Sequence, residues 1–370
     1  MVKIAAKSGV VNFPLKYHRR LSRRYPSYVI GADVGGTNTC IGVAGITGGK
    51  PELLFSFHFS SRELDSLSPA LSVVLDYAHR EHGIRLQKAC IAAAGPPSIG
   101  NDYCKLTNLD WSVSVKDILR KTGLESAFII NDFEAVGYSV NLLSTGSKTM
   151  FKAGGGRSKK SKAAKAVLGA GTGFGKTILA YSECHKAYIP LPSEGGHADF
   201  PAQDGDDIKL LDFIRDYRNT SQVTCEDVLS GRGIEAICMF LLRGKKFRGS
   251  KYTEEIEDAA DKVPLISKYR RKDETCRETF NIYSRYYGRV ARDFALEALA
   301  TGGVYIGGGV AQKNSEIFRS RGFLNEFRRS EAYSKLLGRI PVYVIVDSHA
   351  GMLGAAYAAV IRDDIIKRVG

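Results

Sequence analysis

An α/β architecture in two lobes is predicted by three observations. A layout of strand, glycine turn and strand occurs twice, first around Gly35 and Gly36 and again over 169–175. Apolar segments alternate with helically spaced ones over 28–143, the pattern of a sheet flanked by helices. At 370 residues the chain exceeds the usual size of one hydrophobic core, so two domains with room for a cleft are expected.

Residues 28–32 are apolar and partly β-branched, and 40–46 continue in the same manner, so a hairpin with Gly35 and Gly36 at its tip is expected. Helical spacing covers 69–82. A buried strand follows over 87–94, ending at Gly95, Pro96 and Pro97. Another spans 127–130, ends at Asn131 and Asp132, and leads into a helix over 134–140. Strands over 166–168 and 175–181 make the second hairpin. Beyond Pro201 the periodicity turns helical over 206–218, 231–242 and 274–300, while 243–273 reads as a loop with one short helical piece. Residues 303–306 and 341–346 return to strand, and a closing helix over 352–367 crosses back to the first lobe. The domain outline is a basic N-terminal extension over 1–26, a small α/β domain over 27–140 completed by 352–370, and a large α/β domain over 141–351 that carries a basic loop over 144–166. No period suggests a solenoid.

The net charge of +14 is confined to two segments. Lys3, Lys7, Lys16, Arg19, Arg20, Arg23 and Arg24 precede the first hairpin with no acid among them. Lys148, Lys152, Arg157, Lys159, Lys160, Lys162 and Lys165 occupy the basic loop, again without an acid. Such a run reads as a solvated loop rather than a nucleic-acid contact, because Phe151 is the only aromatic interleaved with it for stacking bases. The N-terminal run is acid-poor, as organelle transit peptides are, but serine is sparse and Pro14 interrupts a helix, so a basic extension on the domain surface is the expected state. Seven cysteines form an odd count with no CxxC pair, which fits neither a disulfide framework nor a cysteine zinc site and points to a reducing compartment, the cytoplasm. No apolar run is long enough to cross a bilayer. Nucleic acid and membrane are therefore not expected as partners.

Several segments carry chemistry. In the first hairpin two glycines let backbone N–H groups approach a phosphate with no Cβ in the way, Thr37 and Thr39 add hydroxyl donors, and Asp33 is placed to hold a cation through water. An ordinary glycine hairpin carries the same pattern. Asp132 sits where a strand end opens into a crevice and suits either a helix N-cap or a general base toward a substrate hydroxyl. Glu194 and His197, three residues apart across a glycine pair, offer the acceptors and donors that a polyol demands. Residues 170–177, AGTGFGKT, satisfy a permissive P-loop pattern, but strand-like sequence follows Thr177 where a P-loop needs a helix, and Lys176 is expected to point out of the hairpin. The run GGVYIGGG over 302–309, with Gly307 and Gly308, lets a planar base lie close to backbone or simply ends a glycine-rich strand.

Together and in order, DVGGTN at 33–38, LTNLDW at 106–111, INDFEAV at 130–136, GAGTGFG at 169–175, SEGGHADF at 193–200, CEDVLSG at 225–231 and GGVYIGGG at 302–309 resemble the bacterial-type glucokinases. These belong to the superfamily that also contains actin and the heat-shock chaperone ATPases. The resemblance implies a two-lobed ribonuclease H-like fold, called the actin-like ATPase fold, with nucleotide and sugar in a cleft between the lobes. It implies transfer of the ATP γ-phosphate to the 6-hydroxyl of D-glucose, with Mg²⁺. By the same similarity Asp132 is the base, and Asn108, Asn131, Glu194, His197 and Glu226 hold the other hydroxyls. Gly35, Gly36, Thr37 and Asn38 form one phosphate loop and Gly171, Thr172 and Gly173 the other, Gly307 and Gly308 complete the nucleotide site, and Asp33 is the magnesium-associated acid. A homodimer whose lobes close on sugar is implied as well. The cysteine-rich zinc motif usual in the related kinases and sugar-responsive repressors is absent. A related hexose, an ADP or polyphosphate donor, or a non-catalytic sugar sensor on the same fold are the alternatives.

Overall fold

The computed structural model describes residues 2–6, 9–19, 21, 24–144, 146, 148–152, 162–244 and 250–369. Contacts divide the chain into two compact units. One comprises Met1–Leu143, Ser182–Pro192 and Ser348–Gly370, the other Ser144–Tyr181 and Ser193–Asp347.

In the first unit a six-stranded sheet runs in the order Ser126–Asn131, Lys88–Ala93, Ser27–Val34, Asn38–Thr47, Lys50–Ser60 and Leu15–Tyr17. The first three strands are mutually parallel and the rest antiparallel. The expected hairpin is thus the start of a longer meander. Its second turn is Gly48 and Gly49, both at positive φ (56° and 70°) between Thr47 and Lys50, the two-residue turn that matches strand twist and for which glycine is the natural choice. The eleven-residue strand Lys50–Ser60 was not expected from sequence. Its Leu54, Phe55, Phe57 and Phe59 are all buried, so both faces are apolar and the period of two is masked. The basic extension also departs from expectation. Leu15–Tyr17 pairs with Phe55–Phe57 as an edge strand, and Arg19 pairs with Glu52 at 3.5 Å.

Helix Ala350–Val369 packs on this sheet and on helix Asp132–Ser139. A Cβ on Gly31 would lie 2.2 Å from the Met352 carbonyl oxygen, and one on Gly354 would lie 1.8 Å from that of Ala135. Glycine is required at both positions by close backbone approach, not by unusual dihedrals. The strand Ala187–Leu191, placed by sequence in the large domain, groups with the first unit. Asn141 holds it there, donating to the Tyr188 carbonyl at 2.8 Å and accepting from the Tyr188 N–H at 2.8 Å.

In the second unit strands follow the order Lys148–Lys152, Val342–Ile345, Val304–Gly307, Lys165–Ala170 and Phe174–Ser182. The N-terminal part of the basic loop therefore contributes an edge strand, antiparallel to Val342–Ile345, while its residues 153–161 lie outside those described. Residues 243–273 contain two helices, Lys251–Asp258 and Val263–Tyr269, where one short piece was expected. The long helix Glu274–Glu297 runs through a core of buried aromatic and aliphatic side chains. Its fully buried Arg289 ion-pairs with Asp207 at 2.5 Å and Glu326 at 3.4 Å and donates to the Pro201 carbonyl at 3.0 Å. A desolvated guanidinium is tolerable only when neutralised in this way. The contact to Pro201 fixes the chain just after the SEGGHADF segment.

Gly354→Ala tests the helix seat. Alanine raises helix propensity by about 1 kcal/mol, but overpacking against backbone opposes it by about 1–3 kcal/mol or more. With a net loss of about 1–2 kcal/mol the variant is expected to melt roughly 2–8 °C below the parent by calorimetry, and an unchanged or higher Tm would refute the tight seat.

Candidate active site

In the first unit the candidate residues gather at the C-terminal ends of the parallel strands. Val34, Ala93 and Asn131 are in register across three adjacent strands, so Asp33 and Asp132 flank a strip about 10 Å wide. Asn131 is the N-cap of helix Asp132–Ser139, its Oδ1 accepting from the N–H groups of Phe133 (2.8 Å) and Glu134 (3.3 Å), with Nδ2 donating to the Gly95 carbonyl at 3.4 Å. The capping role that Asp132 was suited to is thus filled by its neighbour. The Asp132 carboxylate sits half-buried in the first helical turn, where the helix dipole favours an anion, and accepts from the Phe133 N–H at 2.8 Å. The helix begins two residues earlier than the predicted 134.

Asn108 is exposed in the turn after strand Tyr103–Lys105. Its Cβ would be 3.0 Å from a Cβ on Gly36, so the first glycine turn touches the LTNLDW segment directly. Thr107 ties that segment to the Ala94 carbonyl through its N–H (3.0 Å) and hydroxyl (3.1 Å), next to the Gly95 that Asn131 contacts. Gly35, Gly36, Asn108, Asn131 and Asp132 are thereby linked within one unit. Neither Gly35 nor Gly36 has positive φ, so Gly36 is favoured by its close approach to Asn108 and not by its dihedral angle. Gly35 N–H closes the turn on the Asn38 carbonyl at 3.0 Å, whereas the N–H groups of Gly36 and Thr37 have no acceptor among the described residues. Thr37 and Asn38 are exposed. Two adjacent open N–H donors are what an anionic ligand needs.

Asp33 has no hydrogen bond or ion pair among the described residues, and burial raises its carboxyl from 3.8 to about 6. A Cβ on Gly351 would lie 2.3 Å from its Oδ2, so the closing helix presses on it from behind.

In the second unit Gly171, Thr172 and Gly173 join strands Lys165–Ala170 and Phe174–Ser182. Gly171 N–H bonds the Gly173 carbonyl at 2.9 Å, and the N–H groups of Thr172 and Gly173 have no acceptor among the described residues. The two hairpins thus share one device on unrelated segments. Glu226 lies directly behind this turn. Its Oε2 accepts from the Phe174 N–H at 2.9 Å and would be 2.6 Å from a Cβ on Gly173, and its Oε1 pairs with Arg232 at 2.5 Å. The structure gives Glu226 two protein partners where sequence assigned it a hydroxyl, a link invisible across the 52 residues between 174 and 226.

The SEGGHADF segment is drawn to the same place. Gly196 has room only for hydrogen, since a Cβ would fall 1.8 Å from the Phe174 carbonyl oxygen. Phe200 N–H bonds Val223 O at 3.1 Å and Cys225 N–H bonds Ala198 O at 2.8 Å. Glu194 and His197 remain exposed, 4.0 Å apart. Desolvation raises the Glu194 pKa, with the Glu226 charge adding to it and His197 opposing it. Glu194, His197, Glu226 and the second glycine turn are therefore neighbours. Gly307 pairs with Gly169, and Gly308, at φ +86°, sits where a Cβ would meet the Ala170 carbonyl oxygen at 2.3 Å. The expectation that strand and not helix follows Thr177, which rules out a P-loop, is borne out by strand Phe174–Ser182. Lys176 does not point out of the hairpin as expected. It is 7% exposed, with Nζ 5.1 Å over the Phe294 ring.

Sequence reasoning missed Ser61, Trp111 and Arg232 as parts of this region. Trp111 lies inside a motif but was given no role, and nothing local marks the other two.

Two α/β units, each presenting a glycine turn with open N–H donors, one with carboxylates at its strand ends, define a protein of the two-lobed actin-like ATPase and sugar kinase fold. The structure of a glucokinase from an Antarctic psychrotroph aligns with a TM-score of 0.71 at 27% identity over 90% of this chain and 98% of that one. A ROK family glucokinase from Streptomyces griseus, solved with glucose and AMPPNP, aligns with a TM-score of 0.63 at 18% identity over 90% of this chain and 99% of that one. A glucokinase from Nostoc punctiforme is 30% identical over 346 residues, 90% of this chain and 98% of its own. Residues 30–361 match the glucokinase family model, and the chain belongs to the glucokinase family.

The Asp33 carboxyl gives a signed test. A raised folded pKa means the fold favours the protonated form, a contribution complete below the unfolded value of 3.8 and lost as pH rises through about 6. Asp33→Asn is therefore expected to melt several degrees above the parent at about pH 8 in chelator and to converge with it near pH 3.5. A lower Tm at pH 8 would mean that the native carboxylate is compensated.

Proposed function

We propose that this protein is an ATP-dependent glucokinase, transferring the γ-phosphoryl group of ATP to the 6-hydroxyl of D-glucose to give glucose 6-phosphate and ADP. The observation that carries the reading is Asp132, a carboxylate held by helix and cap at a strand end, in a chain matched to the glucokinase family over 30–361.

Asp132 orients the 6-hydroxyl and takes its proton as the oxygen attacks the γ-phosphorus and the bond to the β-phosphate oxygen breaks. Asn108 with Glu194 and His197 bind the remaining hydroxyls. The exposed Glu194 carboxylate supplies acceptors to adjacent hydroxyls, and the imidazole of His197 beside it can donate or accept. Asn131 acts chiefly by capping the helix that carries Asp132, and Glu226 by shaping the second turn, with its hydroxyl-binding role secondary. The open N–H groups of Gly36, Thr37, Thr172 and Gly173 stabilise phosphoryl charge, Asn38 borders them, and Gly307 and Gly308 leave backbone space for the base.

Asp33 fits a divalent cation. An unpaired, desolvated carboxylate pushed to about 6 is the group that a cation's water shell would restore to its charged form. Bound with ATP, Mg²⁺ would neutralise phosphate charge and hold the transferring group in line.

No disulfide joins the seven cysteines among the described residues, which suits a cytoplasmic enzyme. A homodimer is the family expectation, and light scattering should give twice the 40.4 kDa chain mass.

Asp132→Ala should lower kcat by roughly 10²–10⁴ while the glucose Kd, measured by calorimetry, stays within about three-fold. Equal loss of glucose binding would make Asp132 an anchor and not a base. A panel of glucose, mannose and glucosamine against ATP, ADP and polyphosphate tests the reaction itself, and absence of glucose 6-phosphate with ATP would refute it.

A further inference from the structure

Ser61 is fully buried at the end of strand Lys50–Ser60, outside every motif that marks the site, and all its polar groups are spent on the first glycine turn or its support. Its N–H donates to the Thr37 carbonyl at 2.9 Å and its hydroxyl to the Gly35 carbonyl at 2.7 Å. With that proton committed, the 2.8 Å contact to the buried Thr39 hydroxyl has Thr39 as donor. Its own carbonyl accepts from the Trp111 indole N–H at 3.0 Å. Trp111, the only tryptophan, belongs to the segment that carries Asn108.

The direction of these bonds has a consequence. No peptide bond among the described residues is cis, so within each planar unit of this turn the C=O and the following N–H point opposite ways. Tying the Gly35 carbonyl to Ser61 turns the Gly36 N–H away from it, and tying the Thr37 carbonyl to Ser61 does the same for the Asn38 N–H. The Ser61 hydroxyl thus holds the open N–H of Gly36 away from the buried serine, next to the exposed Thr37 and Asn38. Without the hydroxyl the peptide between Gly35 and Gly36 is free to flip, since glycine on both sides opposes rotation least.

We propose that Ser61 is the positioning residue of the first phosphate turn, setting its N–H groups for the nucleotide, and that Trp111 anchors Ser61 and so connects the nucleotide turn to the sugar segment. The proposal rests on the reading of 35–38 as a phosphate-binding turn.

Ser61→Ala keeps the backbone bond to Thr37 and loses only the hydroxyl. It is expected to lower kcat/KM for ATP roughly ten- to hundred-fold, with the glucose KM within about two-fold of the parent. Trp111→Phe keeps an aromatic ring without the N–H and should shift the ATP parameter the same way, by roughly three- to ten-fold. It serves as well if Ser61→Ala does not fold. In the parent, AMPPNP should change the Trp111 emission, and Ser61→Ala should abolish that change. An unaltered kcat/KM for ATP in either folded variant overturns the proposal, as does an equal fall in the glucose and ATP parameters. Gly36→Val, whose side chain would collide with Asn108, separates the proposal from its premise. If it leaves the KM for ATP unchanged in an active enzyme, the turn does not hold phosphate and both fall.

Discussion

The close seating of helix Ala350–Val369 on the first sheet is the constraint from which the candidate chemistry follows. Backbone meets backbone at Gly31 against Met352 and at Gly354 against Ala135, and Gly351 presses on the Asp33 carboxylate. One helix therefore sets the depth of the strand bearing Asp33 and of the helix beginning at Asp132. No side chain could mediate these contacts, since the gaps admit only hydrogen. Burial of Asp33 by this helix also explains why its carboxyl rises toward neutrality. The site is built at the expense of local stability, as sites that await a charged ligand generally are.

The second unit reaches a comparable result by other means. Glu226 bonds the backbone N–H beside the glycine turn, Gly196 brings the SEGGHADF segment onto the Phe174 carbonyl, and Arg289 holds the Pro201 carbonyl that ends that segment. Here two charged side chains supplement a glycine contact of the kind seen in the first unit. Both arrangements leave a turn with unopposed N–H groups, and that shared outcome, more than any shared residue, makes the halves equivalent.

Much of this was legible in the sequence because it is local. The two glycine turns, the strand leading to Asp132 and the closing helix each rest on a pattern within a dozen residues. What was not legible is non-local. Strand Lys50–Ser60 is apolar on both faces, so its period is hidden, and Leu15–Tyr17 becomes a strand only because that neighbour exists. The Glu226 bond to Phe174 and the Ser61 bonds to Gly35 and Thr37 join segments separated by tens of residues. Lys176 was misjudged for a related reason. Strand alternation says which face a residue takes but not whether helices cover that face, and here Phe294 of a helix more than a hundred residues away does so.

The short strand Leu15–Tyr17 has a further meaning. It occupies the outer edge of the first sheet, against a partner carrying Phe55, Phe57 and Phe59. Proteolysis beyond residue 17 would uncover a long aromatic-rich rim with unsatisfied amide and carbonyl groups, the kind of surface that recruits further chains into aggregates.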